Sequence, residues 1–562
     1  MSLSTILEMQ ERKDTANTPE ATRTNDCSLH LFEAVRISGA LLALIWCFLS
    51  CVPKNHTAQR ATLLSGMGEL HHPIDTRDAE AQKLFDQGLT LVYAFNFAEA
   101  EHSFRQAAKI DPEAPMPYWG IALALAPNYN AWHMSSTRED RMRDSLEEAQ
   151  KLSVDAPENE KAYIAALSKA ISGDAHKYAD AMRELSQRYP DDPDAATLYA
   201  AALMTLRPWN LWNLNGAPGE DTLEITRTLE EVLKRWPNHV GANHLYIHAL
   251  EGSPFPQRAL PSANRLETLV RGAGHLVHMP AHIYFRTGDY QSAVKSSLAA
   301  VAADKAYARE CTILNAPYLM GYANHNLYFL VYAASMSGEF KIAYSAAKEL
   351  EASSRSQAFR ISTILVLLRF ARWEEILALP KPDSNLQGIA FFWHYARGCA
   401  FAHKGNPEKA GVEESAMNQA YAYLPPGRAF GMYFNDWSAF HQLAEYSLKA
   451  RVSAARGDVL DAIQSWQSAI AVQDQMKFDD LPDWYYPVRE SLGAELLHCG
   501  KAAEAEKVFR DDLSRTPRNP RSLYGLWEAM ELQKQKADAA WVRQAFEASW
   551  KGALNQLRID DF

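Results

Sequence analysis

Two histidine pairs recur at a fixed interval, and that interval sets the architecture. The chain reads NHLYIHALE over 243–251 and GHLVHMPAHIYFR over 274–286. His244 and His248 are four apart, as are His278 and His282, and the second pair lies 34 residues after the first (278 − 244 = 282 − 248 = 34). Ala259 and Ala293 keep the same interval (293 − 259 = 34), so the period does not rest on the histidines alone. A period of this size means stacked units, each unable to bury its apolar face without its neighbours. Residues four apart share one face of a helix. Equivalent imidazoles are therefore presented by neighbouring helices, facing the same way.

The unit itself shows most clearly at 82–115, QKLFDQGLTLVYAFNFAEAEHSFRQAAKIDPEAP. Small Gly88 and Ala100 let two helices approach closely, Phe104 fills the gap to the next pair, and Pro112 stops the second helix. This stretch resembles a tetratricopeptide repeat (TPR), with Gly88, Ala100, Phe104, Ala107 and Pro112 at family positions 8, 20, 24, 27 and 32. The twelve-residue step from Gly88 to Ala100 returns at Gly398 and Ala410, Ala450 and Ala462, and Gly493 and Ala505. The resemblance covers most of the chain, and no strand-like alternation is sustained anywhere. The expected fold is all-α, a right-handed TPR-type α-solenoid over 81–562. It has roughly ten to twelve helical hairpins, with the histidine-rich repeats at 238–343. Insertions interrupt it at 126–132 and at the tryptophan-rich 207–219. A last hairpin from Arg521 is expected to cap the array, turning Glu547, Lys551 and Arg558 to solvent. The region also resembles a bacterial group of TPR-domain proteins, often preceded by an export signal, from which no activity transfers.

Counting each repeat from its alanine at position 20 sorts the polar residues. His244, His248 and Glu251 occupy positions 5, 9 and 12; His275, His278, His282 and Arg286 occupy 2, 5, 9 and 13 of the next repeat. His325, Tyr328 and Tyr332 occupy 2, 5 and 9 of the one after. In the TPR family these positions line the concave groove, so the resemblance places the cluster there. Packed helices lie roughly 8–10 Å apart, close enough for imidazoles from two of them to meet on one ion. The candidate metal ligands are His244, His248, Glu251, His275, His278, His282 and His325, with Arg286, Tyr328 and Tyr332 around them. The ion would be a divalent transition metal (Zn, Cu or Fe). Six histidines exceed what one ion needs, so either two ions bind or some rings serve as outer support, with Glu251 orienting an imidazole from behind. Other readings stay open: a metal-free groove for a peptide, protein or small-molecule partner, or a structural cluster. Pro280, inside HLVHMPAH, must kink its helix or start it. His71, His72 and Asp75 in HHPIDT, and Trp209 and Trp212, are weaker candidates for folding over the groove.

No catalytic residue is assigned. HLYIH and HMPAH carry the histidine spacing of zinc-protease helices without their glutamate base, and phosphate-binding glycine loops and nucleophile elbows are missing. A formal net charge of −11 and the lack of a basic stripe argue against nucleic acid. Six scattered cysteines give neither a disulfide framework nor a cysteine zinc site. Residues 1–51 form an N-terminal extension whose apolar run ISGALLALIWCFL (37–49) has the length of a signal-peptide core and precedes FLSC, ending at Cys51. That ending resembles a bacterial lipoprotein cleavage box, with Phe48 a poor match. The expectation is an exported, periplasmic or membrane-anchored protein, with residues 52–80 as tether and lead-in. A cytoplasmic protein is the alternative if the run is no signal. The combined reading is an exported binding protein with a histidine-rich metal site. The alternatives are a metal-free TPR scaffold and a metal-dependent enzyme acting on a small molecule.

Overall fold

The computed structural model describes residues 60–562 except 132, 173, 314, 430–434, 478–479 and 554–556. The apolar run at 37–49 and Cys51 lie outside the described residues. Helices pair in chain order. The first four pairs are α1 (Ala79–Tyr93) with α2 (Phe97–Ile110), α3 (Pro115–Leu125) with α4 (Ser136–Leu152), α5 (Glu158–Ser168) with α6 (Ala175–Arg188), and α7 (Pro193–Leu206) with α8 (Thr222–Arg235). The histidine-bearing stretch follows, with α9 (Val240–Glu251) on α10 (Leu260–Leu269), then α11 (Gly274–His278) and α12 (Pro280–Thr287) on α13 (Tyr290–Glu310). After the short α14 (Pro317–Met320), α15 (Tyr322–Ser337) packs on α16 (Phe340–Ser353).

The C-terminal half continues the pairing. Its first three helices are short, α17 (Gln357–Arg360), α18 (Ser362–Arg369) and α19 (Trp373–Ala378). Then come α20 (Gln387–His403) with α21 (Pro407–Ala422), α22 (Trp437–Arg456) with α23 (Val459–Gln473), α24 (Arg489–His498) with α25 (Ala502–Arg515), and α26 (Pro520–Leu532) with α27 (Lys536–Ser549). Among the described residues only isolated bridges occur and no strand. The fold is the all-α, TPR-type solenoid.

The small-residue argument holds in atomic detail. A Cβ added to Gly88 would lie 2.6 Å from the Phe104 ring, and one on Gly120, in the next hairpin, 2.4 Å from it. Near the other end Phe509 is held the same way, 2.4 Å from a Cβ on Gly493 and 2.2 Å from one on Gly525. Both rings are fully buried. Each of these two junctions is thus a ring seated in a socket that a methyl group would fill.

The ends of the array fold back on its middle. Tyr290 Oη donates to Pro517 O at 3.2 Å, Gln291 Nε2 to Ala548 O at 2.7 Å, and Lys551 N to Ser337 O at 2.8 Å. Gly288, at φ +78°, has Pro517 O 2.1 Å from where a Cβ would sit, so only glycine permits this approach. The last hairpin therefore docks on the middle of the array as well as ending it, with Glu547, Lys551 and Arg558 exposed. Residues 60–75, read as a tether from sequence, are also held. Leu64 N donates to Gln87 Oε1 at 2.6 Å and Gly272 N to Gly66 O at 2.9 Å.

Candidate metal centre

Pro280 is the first residue of α12, and Met279 before it keeps helical backbone (φ −51°, ψ −35°). The missing proline N–H falls where α11 ends, so the path runs on and His275, His278 and His282 stay on one stripe. Gly274 starts α11 against Asp304, whose Oδ1 would be 1.9 Å from a Cβ there. Tyr318 Oη accepts from His275 N at 2.7 Å and donates to Asp304 Oδ1 at 2.8 Å, which fixes the start of the helix.

The structure brings all six histidines and Glu251 together, each no more than 7% exposed. Their surroundings are enclosed, in contrast to the open groove expected of these positions. His244, His248 and His275 offer ring nitrogens within 4.8 Å of one another, and so do His278, His282 and His325.

Hydrogen bonds fix three tautomers. A carbonyl or carboxylate oxygen can only accept, so the ring nitrogen facing it carries the hydrogen. His244 Nδ1 donates to Tyr93 O, His248 Nδ1 to Glu251 Oε1 at 2.7 Å, and His282 Nδ1 to Glu251 Oε2. Each Nε2 is then a bare lone pair. His244 Nε2 and His248 Nε2 are buried with no hydrogen-bond partner, as are both nitrogens of His275. His278 Nε2 lies 2.8 Å from His282 Nε2. Each unsatisfied buried group costs about 1–3 kcal/mol, a large sum against a typical net stability of ~5–15 kcal/mol.

Burial, reinforced by the neighbouring imidazoles, holds His244, His275, His278 and His325 well below the ordinary histidine range. Burial also lowers His282, against the opposing pull of Glu251. These rings are neutral at pH 7, the protonation state in which an imidazole can bind an ion. Burial raises the Glu251 carboxyl, but His282 and His248 outweigh it and hold the group ionised, below the usual carboxylate range. With both oxygens on ring Nδ1 atoms, Glu251 stands behind the imidazoles as an anchor. That is the outer-support role weighed from sequence; with His282 and Asp480 it also forms a group of potential ligands, as the ligand role expected of it requires.

The flanking residues divide. Arg286 Nε donates to Glu251 O at 2.8 Å, tying α12 to the end of α9. Tyr332 Oη donates to Trp484 O at 3.0 Å, so it holds the segment before α24. Tyr328 packs against Phe359, ring centroids 5.6 Å apart, while its neighbour Phe329 lies 4.3 Å from the rings of both His278 and His282. His72 sits in an adjoining cluster on Asp194, which accepts from it at 2.8 Å, from Tyr93 Oη at 2.6 Å and from His239 Nε2 at 3.1 Å. Trp209 covers His248 (ring centroids 5.7 Å), and Trp212 Nε1 donates to Ala249 O at 2.7 Å.

Two participants have no signal in the repeat register. Asp480, at φ +65°, brings its oxygens within 3.5 Å of His282 Nδ1 and 3.4 Å of His325 Nδ1. Phe95, at φ +57°, has its ring centroid 4.5 Å from that of His244, 5.6 Å from His248 and 5.4 Å from His275. A positive φ in a non-glycine residue is uncommon and is a structural rather than a sequence signal. A cavity of about 640 Å³ adjoins the cluster, with His248 and Glu251 among its walls beside Tyr129, Trp209, Arg286 and Trp484.

No family model matches the chain, and no curated protein matches it. Among solved structures it is similar to that of Naa15/Naa10 bound to HypK-THB, at 13% identity over 85% of each chain, TM-score 0.24. It is similar also to the human IFIT1 dimer with m7Gppp-AAAA, at 12% identity over 85% of this chain and 92% of that one, TM-score 0.31. The P58(IPK) TPR domain gives 10% identity over 82% and 99%, TM-score 0.21. At such identities and scores these likenesses say nothing of what this chain binds.

Proposed function

We propose that this protein is a metal-binding helical solenoid. It holds a divalent transition ion, of the zinc, copper or iron class, on buried imidazoles beside a half-open pocket. One observation supports the reading: the Nε2 atoms of His244 and His248 are buried together with the ring of His275, and none of these nitrogens has a hydrogen-bond partner among the described residues. Neutral imidazole nitrogens grouped in this way suit a Lewis acid of the zinc, copper or iron class. An anchor on the opposite nitrogen of a ring is the usual support of a metal-bound histidine. The pocket favours a small molecule or a peptide end as the partner that meets the ion. It is also the observation behind a second reading, a metal-dependent enzyme acting on a small molecule there. Export rests on the sequence at 37–51 alone. Among the described residues no helix is long and apolar enough to cross a membrane.

The test is elemental analysis of protein purified without chelators, with melting curves in added metal. The reading expects about one or more ions per chain and a Tm that rises with metal. No stoichiometric Zn, Cu, Fe or Mn, with a Tm indifferent to added metal, would leave the metal-free scaffold.

A further inference from the structure

The geometry points to two ion sites, built by the same rule one repeat apart. This rests on the metal reading above and goes further in number and kind. The first triad takes positions 5 and 9 of one repeat (His244, His248) and position 2 of the next (His275). The second takes positions 5 and 9 of that next repeat (His278, His282) and position 2 of the one after (His325). The ring centroids form matching triangles. The first has sides of 4.8, 4.9 and 6.1 Å, the second 4.7, 4.9 and 6.0 Å in corresponding order. A single tetrahedral ion takes four nitrogens and so cannot collect all six. Tetrahedral nitrogens at about 2.0–2.1 Å from zinc are only ~3.3 Å from one another.

The series ends after two. In the third repeat positions 5 and 9 are Tyr328 and Tyr332, which supply no imidazole. Glu251 links the pair by accepting from the position-9 histidine of each, His248 and His282.

The two sites differ in surroundings. The cavity reaches His248 of the first triad and no residue of the second. Asp480 approaches the Nδ1 atoms of His282 and His325 of the second, on the side of the rings that Glu251 backs at His282. The first is a three-nitrogen site facing a pocket, as ions that meet a ligand require; the second is the closed kind.

The experiment titrates the full apo chain with Zn²⁺ alone, measures ions per chain after desalting, and repeats this with Co²⁺ by its visible absorption. Wild type should retain two ions, His275→Ala one and His325→Ala one, with different Co²⁺ spectra for the two variants. His275→Gln and His325→Gln, which replace more of the ring volume, serve where alanine loses helical content by circular dichroism. Saturation of wild type at one ion, or loss of all binding in either folded variant, overturns the two-site inference and leaves the metal reading standing. No binding by wild type overturns both.

Discussion

Replacing Glu251 by glutamine tests the anchor in isolation from the ligands. The carboxylate accepts from two imidazoles, and each contact holds the hydrogen on Nδ1 and the lone pair on Nε2. Glutamine keeps one acceptor oxygen and sets an NH₂ donor against the other ring. That ring must then move its hydrogen to Nε2, where an ion needs the lone pair. Loss of a supporting partner of this kind weakens a metal site about 10–100-fold. Two rings and a full negative charge are affected here, so the upper figure, ~100-fold or ~2.7 kcal/mol, is expected. At free metal of 100 times the wild-type Kd, wild type gains ~2.7 kcal/mol of stability and the variant ~0.4 kcal/mol. Competition against a chromophoric chelator reads the affinity, and chemical denaturation with and without metal reads the linkage. A folded Glu251→Gln protein that binds within threefold of wild type would refute the reasoning.

Three further outcomes follow from the packing. Phe104→Ala empties the socket between Gly88 and Gly120 and should lower unfolding free energy by about 3–5 kcal/mol, read by denaturant titration. Gly288→Val puts a branched side chain where Pro517 O already stands and into a left-handed backbone. It should detach the last hairpin and lower the denaturation midpoint, with helical content largely kept; an unchanged midpoint would contradict the docking described above. Asp512 is raised from 3.8 to about 7, chiefly by burial and then by Glu490. A group with a raised folded pKa stabilises fully below its unfolded value and loses that contribution as pH rises through the folded one. Wild type should therefore lose up to ~4 kcal/mol between pH 4 and 8 through this group, and Asp512→Asn should lose that part of the slope in denaturation at several pH values.

The repeat was legible because its packing rule is written in residue sizes. Gly88, Phe104 and Gly120 must be small, large and small for two hairpins to nest, and the same holds for Gly493, Phe509 and Gly525. The meeting of the six histidines was legible for a related reason, since equal steps along a regular array keep side chains in register. What escaped depends on chain paths that no period encodes. Asp480 arrives from a segment 198 residues beyond His282 (480 − 282) and is aimed by a left-handed backbone. Tyr93 acts through its carbonyl, which any residue would supply. The cluster is covered by Phe95, Tyr129, Trp209, Tyr322 and Phe329, rings that reach it from four separate parts of the chain. Position 5 of the third repeat misled for a local reason: Tyr328 turns to Phe359, and the neighbouring Phe329 takes the face toward the rings.

Anomalous diffraction at the absorption edge of the bound metal, from crystals of the chain as isolated, tests the central claim most directly. The account predicts a peak at about 2.0–2.1 Å from nitrogens of His244, His248 and His275. A map with no peak there, and the three rings lying as they do here with their lone pairs turned to one another, would contradict it.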